Sequence, residues 1–362
     1  MIPLLVFGLG TGLATEPVPS LDTRLRELTA EPVTQLLTDT STKRGFRIIA
    51  LSNAAEACAR RAETGQWSLD EAREALARLA SAAIHPKLSP FASPDGPFGD
   101  HNLYVTHWLI VLTALARVDP LHTEVQRGPA LAHHLAERSL AHKSGVAQSF
   151  PVGKARWPAD QAATLYALHQ ADRLFGLSLT DQPRKRYLAA VGARSSTVPG
   201  LPVSEWTGVR AFHDEPRGTA VAWSVRYLAP VDASLARSWW TKGKATFQSE
   251  GLGMIGFREW HIDREHPPDD DSGPIVMGLS VAATAFALGA SRAMDDCSTH
   301  RALAHTRGVV ESLAQDPEAA KAFQGTAMLL KVQQSTLAIA IAANQTTVPT
   351  SCPAPVPPTP GG

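Results

Sequence analysis

Cysteine is scarce in this chain of 362 residues: there are three, Cys58, Cys297 and Cys352, and no two form a CxxC pair. That excludes a thiolate zinc cage, a redox dithiol and a framework of several disulfides, and leaves a single bridge open. Charge of either sign is not in excess, since Lys+Arg and Asp+Glu are each 34 and no sustained basic stripe occurs. A nucleic-acid partner is therefore excluded from the expectations. Tyrosine is down to four residues, and the apolar fraction is mostly Ala, Leu and Val, a mixture that favours helices over sheets. No apolar run is long enough to be read as a membrane span. Absent too are the Gly-x-Ser-x-Gly elbow, the phosphate-cradling Gly-Lys-Ser/Thr loop and a dinucleotide fingerprint, so no cofactor is expected. Gly8-Leu9-Gly10-Thr11-Gly12 superficially resembles a nucleotide loop, but no βαβ pattern follows it.

What is present is a recurring join, in which a loop rich in Gly, Pro and aromatic residues ends on an acid and a helix of small apolar residues follows. It occurs at Gly99-Asp100-His101, Pro158-Ala159-Asp160-Gln161, His213 to Gly218, and Asp269 to Pro274. The acids Asp100, Asp160, Asp214 and Asp271 are 60, 54 and 57 residues apart, the span of one helical hairpin with its loop. The helices after the joins, His101–Val118, Asp160–Leu174, Gly218–Leu228 and Pro274–Arg292, are apolar over most of their circumference, as buried helices are. Charged, amphipathic helices alternate with them: Glu124–His142, Asp181–Arg194, Asp232–Lys244 and Thr299–Ala314. Upstream lie Leu21–Thr38, Lys43–Glu63 and Ser68–Ala82, the last opened by a capping box in which Ser68 precedes Glu71 by three. Gly325–Asn344 is read as a closing helix. Buried helices alternating with amphipathic ones predict an all-α fold, an α/α-toroid formed by an incomplete or full ring of helical hairpins, with long Gly/Pro/Trp-rich loops at one end. Those loops are Gly145–Ala159, Pro199–Arg217 and Glu250–Gly273, and loops above roughly 15 residues are uncommon unless functional.

The ends differ from this body. Residues 1–20 read as an export signal with its linker, apolar through Leu4 to Phe7 and small at Gly12-Leu13-Ala14, which predicts a periplasmic or secreted protein; the alternative is a short N-terminal arm packed on the domain of a cytoplasmic protein. Residues 21–344 form the helical domain, and residues 345–362, rich in Thr, Pro and Gly, are expected to be a disordered tail.

Three segments carry chemistry. Trp157 and Asp160 stand at a helix entrance, where Asp160 is expected at or near the N-cap. His213, Asp214, Glu215 and Arg217 form a dense polar cluster, in which Arg217 is either a substrate anchor or a tie between loops, and Asp214 or Glu215 suits the cap. Arg258-Glu259-Trp260 presents a cation, an acid and a flat aromatic face, and Asp271 follows in the Asp269-Asp270-Asp271 run. Asp160, Glu259 and Asp271 are the expected catalytic acids, one kept protonated by burial while another stays ionised. Trp157, Arg217, His213, Asp214, Arg258, Trp260 and Asp100 are the expected substrate-binding residues. His261, Asp263, Glu265 and His266 offer nitrogen and oxygen donors, but their spacing matches neither the HExxH helix nor the calcium loop, and no metal is expected.

With Trp157-Pro158-Ala159-Asp160 and Asp271-Ser272-Gly273-Pro274 opening inner helices, the chain resembles bacterial α/α-toroid proteins of the six-hairpin kind. In general plan it is similar to linalool dehydratase/isomerase-like domains, over roughly Leu21 to Asn344. The linalool enzyme pairs acid and Tyr residues with cysteines, and no cysteine stands in the candidate loops here. The resemblance therefore implies carboxylate chemistry on a glycan or other polyhydroxy substrate, as is common in such toroids. The alternatives are a lyase or dehydratase acting on a small, more apolar alcohol, favoured by a funnel lined by Met254, Ile255 and Phe257, and a non-catalytic binding or scaffold protein.

Overall fold

The protein is described by a computed structural model covering residues 19–194, 196–207, 213–251, 253–264, 266–276, 278–315, 335–346 and 352. It is predominantly helical. In chain order run α1 (Leu21–Ala30), α2 (Pro32–Thr38), α3 (Arg47–Glu63), α4 (Leu69–Ala83), α5 (Asn102–Ala116), α6 (Gly128–Leu140) and α7 (Pro158–Phe175). Then follow α8 (Asp181–Ala193), α9 (Gly218–Leu228), α10 (Ala233–Phe247), α11 (Val281–Ala293), α12 (Cys297–Gln315) and α13 (Thr336–Gln345). Among the described residues no helix is long and apolar enough to cross a membrane. The expected export signal and the closing-helix residues 325–334 lie outside the described residues. So does the Pro-rich tail, except Gln345, Thr346 and Cys352.

Burial divides the helices as their composition demands. Every residue of α5 except Tyr104 is buried, whereas α8 buries only Pro183 and Tyr187. The buried set packs in a cycle: α3 on α5, α5 on α7, α7 on α9, α9 on α11, α11 on α13, and α13 back on α3. The amphipathic helices lie against it, α4 on α3 and α5, α6 on α5 and α7, α8 on α7, α10 on α9, and α12 on α11. Ser68 caps α4 as expected, its hydroxyl accepting from the Glu71 N–H at 3.1 Å.

Two expected helices are corrected. Leu21–Thr38 is broken at Glu31, where Pro32 begins α2, because proline suits a first turn and not a helix interior. Pro274–Arg292 does not start at Pro274. Ile275–Val276 (β3) and Leu279–Ser280 (β4) pair as a small antiparallel hairpin, and Gly278 between them has φ +78°, incompatible with a helix. The helix begins at Val281, capped by Ser280 accepting from the Ala283 N–H. A second hairpin pairs Gln248–Gly251 (β1) with Met254–Phe257 (β2) and occupies part of the long loop after α10.

The cycle of helices has a polar lower half. The guanidinium of Arg226 on α9 donates to Glu56 Oε2 on α3 at 2.6 Å and to Asn53 Oδ1 at 2.9 Å. Asn344 on α13 donates to Glu56 at 3.0 Å, Tyr166 on α7 donates to the other Glu56 oxygen, and Arg292 on α11 donates to the Asn344 carbonyl. Each of these residues except Asn53 and Tyr166 comes from the C-terminal half of its helix, where carbonyls and the macrodipole favour cations.

One contact fixes how α9 enters. A Cβ at Gly218 would stand 2.0 Å from the Arg258 carbonyl oxygen, and the Gly218 N–H donates to the Glu259 carbonyl at 2.8 Å. Gly218→Ala is expected to cost about 1–3 kcal/mol, because backbone and not a flexible side chain must yield. Chemical denaturation checks this, and an unchanged midpoint refutes the contact.

Candidate functional site

A cavity of about 660 Å³ opens where the first turns of the buried helices meet. Phe46 and Ile49 line it from the entrance of α3, Leu103 from α5, Ala159 and Asp160 from α7, Arg217 and Thr219 from α9 and its entry, and Val281 to Leu288 along α11. On α13, Leu337, Ile339 and Ile341 add apolar lining. The six helices thus point the same end at one hollow. The four acids of the joins do not all follow: Asp160 and Asp271 line the cavity, while Asp100 and Asp214 are not among its lining residues. Asp100 instead pairs with Arg138, and the Asp214 carbonyl accepts from the Thr197 N–H at 3.1 Å.

Asp160 does not cap α7. The helix starts at Pro158, which puts Asp160 in its first turn, and Trp157 at the N-cap position makes no side-chain cap bond. Burial pushes the Asp160 carboxyl up to about 7; the buried Ser149 hydroxyl beside it pulls the value down, and the charge of Asp271 pushes it up again. Asp160 therefore changes protonation around neutral pH. Trp157 lines the cavity and stands edge-on to Phe150 at 5.7 Å.

Arg217 is a tie between loops. Its Nε donates to Glu259 Oε1 at 2.5 Å, one terminal nitrogen to Asp269 at 2.6 Å, and the other reaches Asp271 at 3.4 Å. Its guanidinium lies over the Trp260 ring, 4.8 Å from the centroid. Burial opposes that charge, but Glu259, Asp269 and Asp271 outweigh it and hold the guanidinium above its ordinary pKa. The second Glu259 oxygen accepts from the Thr219 hydroxyl, and burial pushes this carboxyl upward against the pull of Arg217. The Asp269 carboxylate also accepts from the Asp271 and Ser272 N–H groups, so the acidic turn before the β3–β4 hairpin is anchored to Arg217.

Glu259 and Trp260 lie behind Arg217 and are not among the lining residues. Nor are Arg258, His213, Ile255 and Phe257, whereas Met254 is. The Arg258 N–H donates to the Phe247 carbonyl at 2.8 Å, and the His213 carbonyl accepts from the Glu205 N–H at 3.0 Å. Glu215, expected as a cap, is buried in pairs with Arg264 at 2.9 Å and His266 at 3.1 Å, and neither it nor Asp214 caps α9.

Sequence reading did not single out Glu205, which shares the lining with the carboxyls of Asp160, Asp270, Asp271 and Glu311, nor Trp223 and Phe286. Glu205 sits in a loop without helical period, held by its contacts to the Trp157 loop, where the Trp206 N–H donates to the Arg156 carbonyl at 2.7 Å. Among the described residues no group of three or more His, Cys, Asp or Glu is arranged to hold a metal ion. Cys58 is buried on α3, and burial pushes its thiol up to about 12, which makes it a poor nucleophile at neutral pH. Cys297 and Cys352 form a disulfide.

No protein-family model matches the chain, and no curated protein matches it in sequence.

Proposed function

We propose that the cycle of buried helices is an α/α-toroid and that its cavity is the active site of an acid/base enzyme acting on a mostly apolar alcohol. The observation that carries this reading is the contrast within the lining. The lining is mostly apolar, through residues such as Phe46, Ile49, Leu279, Phe286, Leu337 and Ile339, and Asp160, Glu205, Arg217 and Asp271 stand among its fewer polar groups, with Arg24, Lys43, Asp270, Arg307 and Glu311. A glycan would bury many hydroxyl groups against walls without partners for them, at a cost for each one left unbonded. A molecule with one hydroxyl and a hydrocarbon body meets no such penalty. The glycan expectation is therefore the second reading, supported by Trp157 beside the acids.

In the reaction proposed, Asp160 acts as the acid. Its O–H proton passes to the substrate hydroxyl, the C–O bond breaks, and the electron pair leaves with water. The Asp271 carboxylate takes a proton from the neighbouring carbon, and the C–H electron pair becomes the new double bond. Alkene and water are released, and a proton passes from Asp271 back to Asp160. Glu259 is then a positioning residue that holds Arg217, and Arg217 holds Asp271. Export into an oxidising compartment belongs to the same reading, and the Cys297–Cys352 bridge fits it.

The test is incubation of purified protein with an allylic alcohol and chromatographic detection of the alkene. Asp160→Asn is expected to slow turnover at least about 10²-fold, the range for losing a positioned acid. The sign of the pH dependence follows from the raised carboxyl: the acid form is full below pH 7 and is lost as pH rises through about 7, so the rate falls on the alkaline side. Turnover that Asp160→Asn leaves unchanged, or turnover of glycans alone, sinks the reading.

A further inference from the structure

We propose that the end of the helix cycle opposite the cavity is a binding site for a phosphate group, free or carried by a larger molecule, held by Arg60, Arg117, Arg226 and Arg292. These arginines arrive from α3, the C-terminal end of α5, α9 and α11. None of them lines the cavity, so the site stands apart from the proposed reaction.

Charge is the first argument. Glu56 accepts from Arg226 at 2.6 Å, and Glu63 takes both arms of the Arg117 fork at 2.8 and 2.6 Å. Arg60 and Arg292 form no direct ion pair among the described residues. Four guanidiniums against two carboxylates leave an excess of two positive charges, and a guanidinium does not shed its proton to relieve it. Proximity is the second. Arg60 stands one turn after Glu56 on α3, and a Cβ at Gly289, one turn before Arg292, would lie 3.1 Å from the Arg226 side chain. Burial lowers the Arg60 pKa, and Arg117 and Arg226 push it down further against Glu56 and Tyr166. Burial, Arg60 and Arg226 together hold Arg292 well below its ordinary value. Unused donors are the third. The Nε of Arg60 is buried without a hydrogen-bond partner, and Arg292 donates to the Asn344 carbonyl. Helix C-termini attract cations, but a diffuse dipole does not replace the missing bond at Arg60. A phosphate monoester, with a charge of about −1.5 to −2 at neutral pH, matches the excess, and its oxygens suit several guanidinium forks at once. Arg60, Arg117 and Arg292 are each partly exposed, so an anion reaches them from solvent.

The experiment titrates the full chain with inorganic phosphate, phenyl phosphate and acetate by calorimetry, and repeats chemical denaturation with each anion at matched ionic strength. Phosphate is expected to bind saturably and to raise the unfolding midpoint as its concentration passes the dissociation constant. Acetate, one charge short, is expected to bind at least about ten-fold more weakly. Arg60→Gln is expected to weaken phosphate binding at least about ten-fold, the range for losing a charged hydrogen-bond partner. In chloride buffer the same variant is expected to raise the midpoint, because it removes repulsion from a cluster with no anion to balance it. Arginines that only cap helix ends give the reverse, a lower midpoint in chloride and no saturable phosphate binding, and that result overturns the site. Phosphate also stabilises proteins in general, so an equal rise in wild type and Arg60→Gln overturns it too. If Arg60→Gln fails to fold, Arg292→Gln carries the same test. Phenyl phosphate binding more tightly than inorganic phosphate supports a group carried by a larger molecule, the opposite order supports the free ion, and acetate binding as tightly as phosphate refutes the assignment.

Discussion

Glu56→Gln is expected to destabilise the protein by about 3–5 kcal/mol in chemical denaturation, far more than a surface carboxyl would. Glu56 is buried and accepts from Arg226, Asn344 and Tyr166 at once. Arg226, itself only 5 % exposed, then keeps Asn53 but loses its carboxylate partner, with Arg60 and Arg292 near enough to push against it. Removing one partner of such a pair leaves an uncompensated buried charge, which is why the loss exceeds the net contribution of the intact pair. The double variant Glu56→Gln/Arg226→Met is expected to recover part of the loss. Acid unfolding gives an independent check. Burial would raise the Glu56 carboxyl, but Arg226 and the hydrogen bonds overcome it and lower the value to about 2 from an ordinary 4.5. A carboxyl depressed on folding contributes stability that is full above about 4.5 and is lost as pH falls toward 2. Wild-type stability should therefore drop over that interval and the Glu56→Gln profile should be flatter. A loss below about 1 kcal/mol with an unchanged acid profile contradicts the role given to Glu56.

Helix polarity explains why the joins were legible. Six helices that send their first turns to one cavity concentrate positive dipole ends there and negative ends at the opposite side. Acids suit the first end, and Asp160 and Asp271 are found at it. Arginines suit the last turns, and Arg60 and Arg61 on α3, Arg173 on α7, Arg226 on α9 and Arg292 on α11 are found there. The period of the joins reported hairpin spacing, and it did so at Asp100 and Asp214 too, although those side chains serve loops and not the cavity. A join marks where a helix enters, directly at α5, α7 and α9 and by way of the β3–β4 hairpin at α11. Which way its acid faces depends on loop contacts such as Asp100–Arg138, between residues far apart in sequence.

Local signals and long-range ones parted elsewhere as well. The Ser68 cap was readable because donor and acceptor are three residues apart. The apolar run from Ile275 satisfied a helical pattern, yet Gly278 turns it into a hairpin that carries Leu279 to the cavity wall. Glu259 and Trp260 had the composition of a binding surface, but their register places both behind Arg217. Composition names the residues able to do chemistry, and packing decides which of them meet a ligand.

Reduction of Cys297–Cys352, or its replacement in Cys297→Ser/Cys352→Ser, is expected to lower stability by about 4 kcal/mol. The bridge closes a loop of 55 residues, and the chain-entropy relation gives about that value for a loop of this length. The enclosed segment includes α13, which joins α11 to α3 and so completes the cycle of buried helices. On the other flank α13 is held by Asp39, whose carboxylate accepts from the Thr336 N–H at 2.7 Å and from its hydroxyl at 2.8 Å. The bridge and Asp39 thus act on one helix, and that helix supplies Leu337, Ile339 and Ile341 to the cavity. Loosening α13 should therefore weaken ligand binding before the rest of the protein unfolds. Guanidinium unfolding with and without reductant measures the stability term, and alkanol binding under the same conditions measures the second effect. A reduced protein of unchanged midpoint and affinity shows that α13 is held by packing and Asp39 alone.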